Sequence, residues 1–340
     1  MESVYIKNNQ TDPFFNLAAE EYLLAHAAGK TRFFLLWRNE PVVVVGRNQN
    51  TQAEVNLDEA RLRGVKVVRR LTGGGAVYHD LGNLNYSIIT DSDGVKFEFA
   101  PFSVPILETL SNWGVCARFT GRNDLVIVGK DGFERKFSGG AQGKIGEKLL
   151  HHGTLLFSTD FSAMSAVLTP NSEKFRSHAV ESVKSRVTNL ADYLPKEITL
   201  DRFQETLIGA YGSFFGDNFQ TRPLSQEEIE AISELKREKY ETWEWNIGKS
   251  PEADFRTRKR FKWGEIGVEI RLCGGKIAQC RFTGDFFASE PVEPFAESLQ
   301  NLAFEPETIQ RSVGNSLRRV WPEMTLSEFI ALLFDHGSNV

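Results

Sequence analysis

The chain has 340 residues, 41% hydrophobic and 25% charged, and its 40 Lys and Arg against 45 Asp and Glu leave a net charge of −5. Those values describe a globular protein of about two domains, not a disordered or fibrous one, and offer no bulk positive charge for nucleic acid. Three cysteines without a C-x-x-C pair exclude a disulfide framework and a cysteine zinc site, and predict a reducing, cytoplasmic setting. No apolar run approaches the ~18 residues of a membrane helix, no secretory leader is legible, and no repeat is present.

In chain order, Val4–Lys7 reads as a strand. A helix follows over Phe14–Ala27, opened by Asp12 and Pro13, with Leu17, Tyr22 and Leu24 as its apolar face. Strands are predicted at Phe33–Arg38 and Val42–Gly46, a helix at Leu57–Arg63 and a strand at Val65–Arg69. A glycine turn leads to strands at Ala76–His79 and Leu84–Ile89. Hairpins interrupting helices favour an α/β (α+β) domain on a mainly antiparallel sheet. Residues 163–240 read as mostly helical, including Phe203–Phe215 and Ser225–Lys239. Residues 244–253, with Gly, Ser and Pro, read as a linker that starts no regular element. Beyond it, alternating strands around a Gly-Gly turn at 274–275 and helices at Val292–Leu302, Thr308–Val320 and Leu326–Phe334 predict a small α+β domain. The predicted domains are 1–243 and 254–340.

The densest cluster of chemistry is RRLTGGGAVYHD at 69–80. Three glycines between strands let backbone N–H groups approach a ligand, and Arg69 and Arg70 bring forked donors suited to carboxylate or phosphate. The run is no P-loop, lacking Gly-Lys-Ser/Thr, and no dinucleotide fingerprint, since Tyr78 stands where the third glycine belongs. A second glycine element, RKFSGGA at 135–141, sets Lys136 as a point charge before a close-approach turn. Asp124 offers an oxygen for Mg²⁺, against the commoner role of a turn aspartate. His151 and His152 point to opposite strand faces and cannot share a metal; one reads as a satisfied core histidine.

Order and spacing of these strings resemble the lipoate–protein ligase A family, relatives of the biotin–protein ligases. The matching strings are WRNEPVVVVGRNQNTQAEVN (37–56), RRLTGGGAVYHDLGN (69–83), GRNDL (121–125), RKFSGGA (135–141), HHGTLL (151–156), SVKSRVTNL (182–190) and WEWNIGK (243–249). The resemblance implies an ATP- and Mg²⁺-dependent ligase forming a carbon–nitrogen bond. Lipoate is activated to lipoyl-AMP with loss of pyrophosphate, and the lipoyl group then passes to a lysine of an apo lipoyl domain, in a 2-oxoacid dehydrogenase E2 subunit or the glycine cleavage H protein.

It makes Lys136 the catalytic residue and Arg70 the holder of the phosphate or carboxylate side. Binding residues would be Thr72, Gly73, Gly74, Gly75, Ala76, Val77, Tyr78, His79, Asn83, Asn123, Ser138, Gly139, Ala141 and Thr154, with Asp124 at the metal and Val44, Val77 and Leu155 lining an apolar channel. Two positions depart from the family pattern: Gly140 stands at a usual hydroxyl position, and Thr72 at a usual serine.

The rival of the same fold is an octanoyl or lipoyl transferase, working through a cysteine thioester or from preformed lipoyl-AMP. Its candidate thiol, Cys116, reads better as a buried small hydrophobe. The basic run Arg256, Arg258, Lys259, Arg260 and Lys262 reads as a solvated strand face, and a monomer binding neither nucleic acid nor membrane is expected.

Overall fold

A computed structural model describes residues 2–27, 30–92, 98–121, 123–129, 131–168, 186–216, 218–247, 255–273 and 275–334. Residues 248–253 of the expected linker, Gly274 of the expected turn, Arg122 and the segment 182–185 lie outside the described residues. The chain forms two compact units: residues 1–45, 51–72 and 76–247, and residues 46–50, 73–75 and 248–340.

In the first unit the strands are β1 (Glu2–Lys7), β2 (Thr31–Trp37), β3 (Val42–Val45), β4 (Lys66–Arg69), β5 (Val77–His79), β6 (Asn83–Asp91), β7 (Ala117–Thr120), β8 (Asp124–Val128), β9 (Glu134–Ile145), β10 (Lys148–Leu156) and β11 (Phe219–Pro223). Eight of them make one sheet in the order β11-β1-β2-β6-β10-β9-β8-β7; a small sheet has the order β4-β3-β5. From β2 to β7 every neighbouring pair in the large sheet is antiparallel, while β11 and β1 add parallel partners. The mainly antiparallel expectation holds. β11 falls inside the stretch read as mostly helical: its alternation is too exposed and short to announce a strand, and pairing with β1 creates it.

The helices of this unit are α1 (Pro13–His26), α2 (Thr51–Glu54), α3 (Leu57–Leu62), α4 (Ala100–Asn112), α5 (Phe161–Val167), α6 (Leu200–Phe215), α7 (Gln226–Leu235) and α8 (Trp243–Asn246). Asp12 caps α1 by accepting the Phe14 N–H at 3.2 Å, with Pro13 in the first turn. The buried face of α1 is not quite the expected one. Tyr22 is only half-buried, while Asn16 and Glu20, one turn apart, go into the core beside Leu17, Leu23 and Leu24. Helix α8 corrects the linker reading. Thr242 caps it, and Asn246 at its end is buried, so residues 244–247 pack into the first unit.

The large sheet has a core on each face. One packs α1 with Leu35, Trp37, Ile89 and Leu150; the other packs α4 and α6 with Tyr86, Leu125, Phe137 and Leu155. Because strand side chains alternate, these two cores tell which way each residue of β6, β8, β9 and β10 points.

The second unit has β12 (Phe255–Phe261), β13 (Gly264–Cys273) and β14 (Lys276–Thr283) as an antiparallel sheet, with α9 (Val292–Ser298), α10 (Pro306–Val320) and α11 (Leu326–Phe334) over a core including Phe282, Phe286, Trp321 and Phe329. The strands and helices expected there are present. Arg258 and Arg260 of β12 both pair with Glu265 of β13, at 3.0 and 2.9 Å, as suits a solvated strand face.

Candidate active site

Strand β9 carries a bulge. Leu125 of β8 stands opposite Ser138, but the next residue, Val126, stands opposite Lys136, so Phe137 is an extra residue. Phe137 is fully buried in the core with Leu125 and Leu155, and the buried Ser138 shares Leu125's side of the sheet. Lys136 is thereby moved to the other face, with Gly139. Its Nζ lies 2.8 Å from Asp124 Oδ1, and a Cβ on Gly139 would fall 2.6 Å from that Nζ. Lys136 is also held through its backbone: its carbonyl accepts the Thr188 N–H at 2.9 Å. Ser138, expected among the binding residues, is thus turned away from Lys136 by the bulge.

On the Lys136 face, β9 continues with Gly139, Ala141 and Gly143. No side chain there exceeds a methyl, so the three residues form a low floor about 13 Å long from Gly139 to Gly143, at ~3.3 Å per residue. The β9–β10 ladder ends at Gly140–Gly153; one residue on, the Thr154 hydroxyl accepts the Gly139 N–H at 3.2 Å. Asn123 clasps the same stretch, which is continuous β9 strand through Gly139 and Gly140 and not the expected turn: its Nδ2 donates to Gly140 O at 2.7 Å while Gly140 N–H returns to Asn123 O at 2.8 Å. At the far end, Thr72 lies against Gly143, where an added Cβ would meet its Cγ2 at 3.0 Å.

Arg70 and Arg69 part company. Arg70 donates from Nε to Thr72 Oγ1 at 3.0 Å and from Nη1 to Val44 O at 3.2 Å. Arg69 is structural: it donates to Trp245 O at 2.9 Å and Thr51 Oγ1 at 2.7 Å, and its backbone N–H goes to Asn246 Oδ1 at 2.9 Å. The pair reading of the two arginines therefore reduces to Arg70.

His79 is buried, and burial together with the nearby Arg70 charge and His152 lowers its pKa to about 3, so the imidazole is neutral. Asn39 Nδ2 donates to its Nδ1 at 3.2 Å, which leaves the proton on Nε2, a buried donor with no partner among the described residues. Asn83 Nδ2 donates to Asn85 Oδ1 at 2.9 Å, and its own Oδ1 is a buried acceptor likewise unpartnered among them. Unsatisfied buried polar atoms are costly, and a ligand carrying an acceptor and a donor would satisfy these two.

Several expectations are redirected. Gly73–Gly75 cluster with the second unit; Gly74 spends its N–H on Phe286 O at 3.2 Å, and a Cβ on Gly73 would lie 2.2 Å from that same oxygen. Close backbone approach is indeed why these are glycines, but what approaches is the 285–287 segment. Ala76 and Tyr78 belong to the small-sheet core. Of the expected channel residues, Val44 and Val77 pack in one core and Leu155 in the core on the opposite side, since it follows Thr154 and alternates away. Both histidines of β10 are satisfied: His151 stacks on Phe102 and bonds Gln142, and His152 bonds Glu20 and Thr72. Cys116 is exposed, not buried, because Val115 takes the inward position; Cys273 is exposed, and burial raises the Cys280 thiol to about 12.

Sequence reading missed Glu20, Asn39 and Ser87. A signal for Glu20 existed: at three residues from Leu17 and four from Leu24, it is a carboxylate in the apolar stripe of α1. Asn39 and Ser87 carried none.

The lipoyl protein ligase A/B catalytic domain family model matches residues 12–212, and the bacterial lipoate protein ligase C-terminus matches 250–333. The lipoate-protein ligase LplJ of Bacillus subtilis is 35% identical over 335 residues, covering 97% of this chain and all of the relative. Among solved structures, P. falciparum LipL1 in complex with lipoate superposes with a TM-score of 0.80 at 24% identity, over 98% of this chain and 99% of that one. A bipartite lipoate protein ligase of Thermoplasma acidophilum, studied with its E2 lipoyl domain, gives 0.65 at 28%, over 75% and 99%. A lipoate-protein ligase A bound with ATP gives 0.62 at 27%, over 73% and 99%.

Proposed function

Because the chain belongs to the lipoate–protein ligase family, we propose that it is an ATP-dependent ligase that activates lipoate as lipoyl-AMP and passes the lipoyl group to a lysine of a lipoyl domain. The observation that carries the residue assignment is the bulge in β9, which sets Lys136 beside Asp124 at one end of the Gly139–Ala141–Gly143 floor.

A carboxylate becomes an acyl donor only when its oxygen is made a good leaving group, and AMP supplies that. The enzyme must then lower the negative charge gathered in the displacement. Lys136 is the compact cation for that charge, and its Asp124 partner holds the ammonium over Gly139. Arg70, fixed at two corners by Thr72 and Val44, offers a second, planar cation at the other end of the floor. A ligand lying between them meets only hydrogen and methyl surface below, and the strand at Gly140 is held by Asn123. Neutral His79 and the Asn83 oxygen, unpartnered among the described residues, supply uncharged polar contacts, which fit the donors and acceptors of a nucleotide.

For Mg²⁺, Asp124 is the carboxylate of this site. Magnesium is commonly held by one or two carboxylates plus substrate phosphates, so a single aspartate fits, and the ion when bound would neutralise phosphate charge. No group of three or more metal-type ligands occurs among the described residues. We assign the second unit an accessory role, E2 or H-protein lipoyl domains as acceptors, and a monomeric cytoplasmic enzyme, in keeping with three free cysteines and with no described helix long and apolar enough to cross a membrane.

The test is intact mass spectrometry of an apo lipoyl domain incubated with the protein, lipoic acid, ATP and Mg²⁺. We expect ATP-dependent lipoylation, lost by at least about 100-fold in Lys136→Ala, the scale of removing one transition-state donor. Modification from supplied lipoyl-AMP alone would make the protein a transferase. No modification in either tube would refute the ligase reading.

A further inference from the structure

Between α1 and β10 runs a chain of buried hydrogen bonds that ends on Arg70. Glu20 of α1, 2% exposed, receives three contacts: Ser87 Oγ at 2.5 Å, and His152 Nδ1 at 2.9 Å to one oxygen and 3.1 Å to the other. Trp37 Nε1 donates to Ser87 Oγ at 2.7 Å, which turns the serine proton toward Glu20. His152 Nε2 lies 2.7 Å from Thr72 Oγ1, and that oxygen lies 3.0 Å from Arg70 Nε.

Only one proton order satisfies the whole chain. A carboxylate accepts and does not donate, so His152 carries its proton on Nδ1 and presents a bare Nε2. The Thr72 hydroxyl has one hydrogen; it goes to Nε2, and the oxygen's lone pairs then face the Arg70 Nε–H. With the other tautomer Thr72 would accept from both neighbours and its own hydrogen would be stranded. Burying an ionised carboxylate is expensive, and a buried Leu or Met would cost nothing of the kind at this point of α1.

We infer that Glu20 and His152 are positioning residues: they fix the Thr72 hydroxyl, and through it the plane of the Arg70 guanidinium, without touching the reacting atoms. The inference rests on the ligase reading, since Arg70's task is defined there. It adds Glu20, on a helix that carries no expected site residue, and His152, two residues before Thr154 on β10, and it gives Thr72 a role in support of Arg70. Serine would serve equally at position 72; valine, of the same shape, would not.

The test is steady-state lipoylation of an apo lipoyl domain by the full-length protein and by Glu20→Gln, Thr72→Ser, Thr72→Val, Arg70→Gln, and the double variants of Glu20→Gln and Thr72→Val with Arg70→Gln. Melting temperatures are read alongside. Glu20→Gln and Thr72→Val each lower kcat/KM by about tenfold, in the same kinetic parameter that Arg70→Gln changes, while Thr72→Ser stays within about twofold. In the Arg70→Gln background both substitutions become neutral, because groups acting through one residue do not add. Full additivity, or an equal loss in Thr72→Ser, would overturn the relay. An inactive wild-type protein would instead overturn the ligase reading. Independently of activity, ¹⁵N shifts of the His152 ring, assigned with His152→Gln, should show the neutral Nδ1–H form in the wild type and lose it in Glu20→Gln; an Nε2–H ring in the wild type would also sink the relay.

Discussion

Gly139 gives a sharp handle on Lys136. In Gly139→Ala the new methyl would stand 2.6 Å from Lys136 Nζ and 2.8 Å from its Cε, against the 3.4 Å at which ordinary contact begins. The ammonium must therefore retreat by about 0.8 Å, and the 2.8 Å ion pair with Asp124 is lengthened or lost. What yields is the end of a flexible side chain; Asp124 Oδ1, at 3.6 Å, need not move. Alanine also suits a strand better than glycine, so the melting temperature should change little, within about 1 kcal/mol of stability. Catalysis should suffer more, because misplacing a group by 1 Å costs up to about 10²-fold. We expect kcat/KM to fall about 10- to 100-fold, or about 1.4 to 2.7 kcal/mol of transition-state stabilisation. Lipoylation followed by intact mass, with differential scanning calorimetry, measures both. A rate within twofold of wild type at an unchanged melting temperature would refute the argument that Lys136 must sit over Gly139. A rate loss that tracks a collapsed melting temperature would refute the claim that the lysine tip absorbs the clash.

Two further outcomes concern stability. His79 and His151 are buried with pKa lowered to about 3, chiefly by desolvation, while the unfolded chain binds a proton near 6.5. Each therefore lowers stability as pH falls below 6.5; between pH 6.5 and 5.5 the pair should cost about 2 kcal/mol, and denaturant midpoints of wild type and His151→Gln across that window check it, the variant losing about half as much. An equal slope in both would refute the assignment. Asn246→Ala removes the acceptor of the Arg69 N–H and donors to Tyr240 O and Thr242 O, at 2.9, 2.6 and 3.0 Å, leaving buried groups unpaired. It should destabilise the first unit by about 2–4 kcal/mol in chemical denaturation, and a loss under 1 kcal/mol would show that α8 is dispensable to it.

Much of this protein is set locally. Asp12 and Pro13 start α1 by capping chemistry that needs no tertiary context, and Ser225 with Glu228 does the same for α7. The alternation of residues 255–283 suffices for the three strands of the second unit, and the glycine elements with Lys136 and Arg70 announced the family and its chemistry by type and spacing. Which side each residue faces was decided elsewhere. Alternation alone puts Lys136 and Ser138 on one face; the extra residue Phe137, drawn into the core, separates them and sends Lys136 to Gly139. Arg69 and Arg70 are neighbours of one kind, yet Asn246, 177 residues downstream, takes the first out of the site. Glu20 becomes intelligible only when β10 brings His152 against it from 132 residues away. Propensity and spacing act over a few residues, whereas facing, pairing and the satisfaction of buried polar groups depend on partners that only the folded chain supplies.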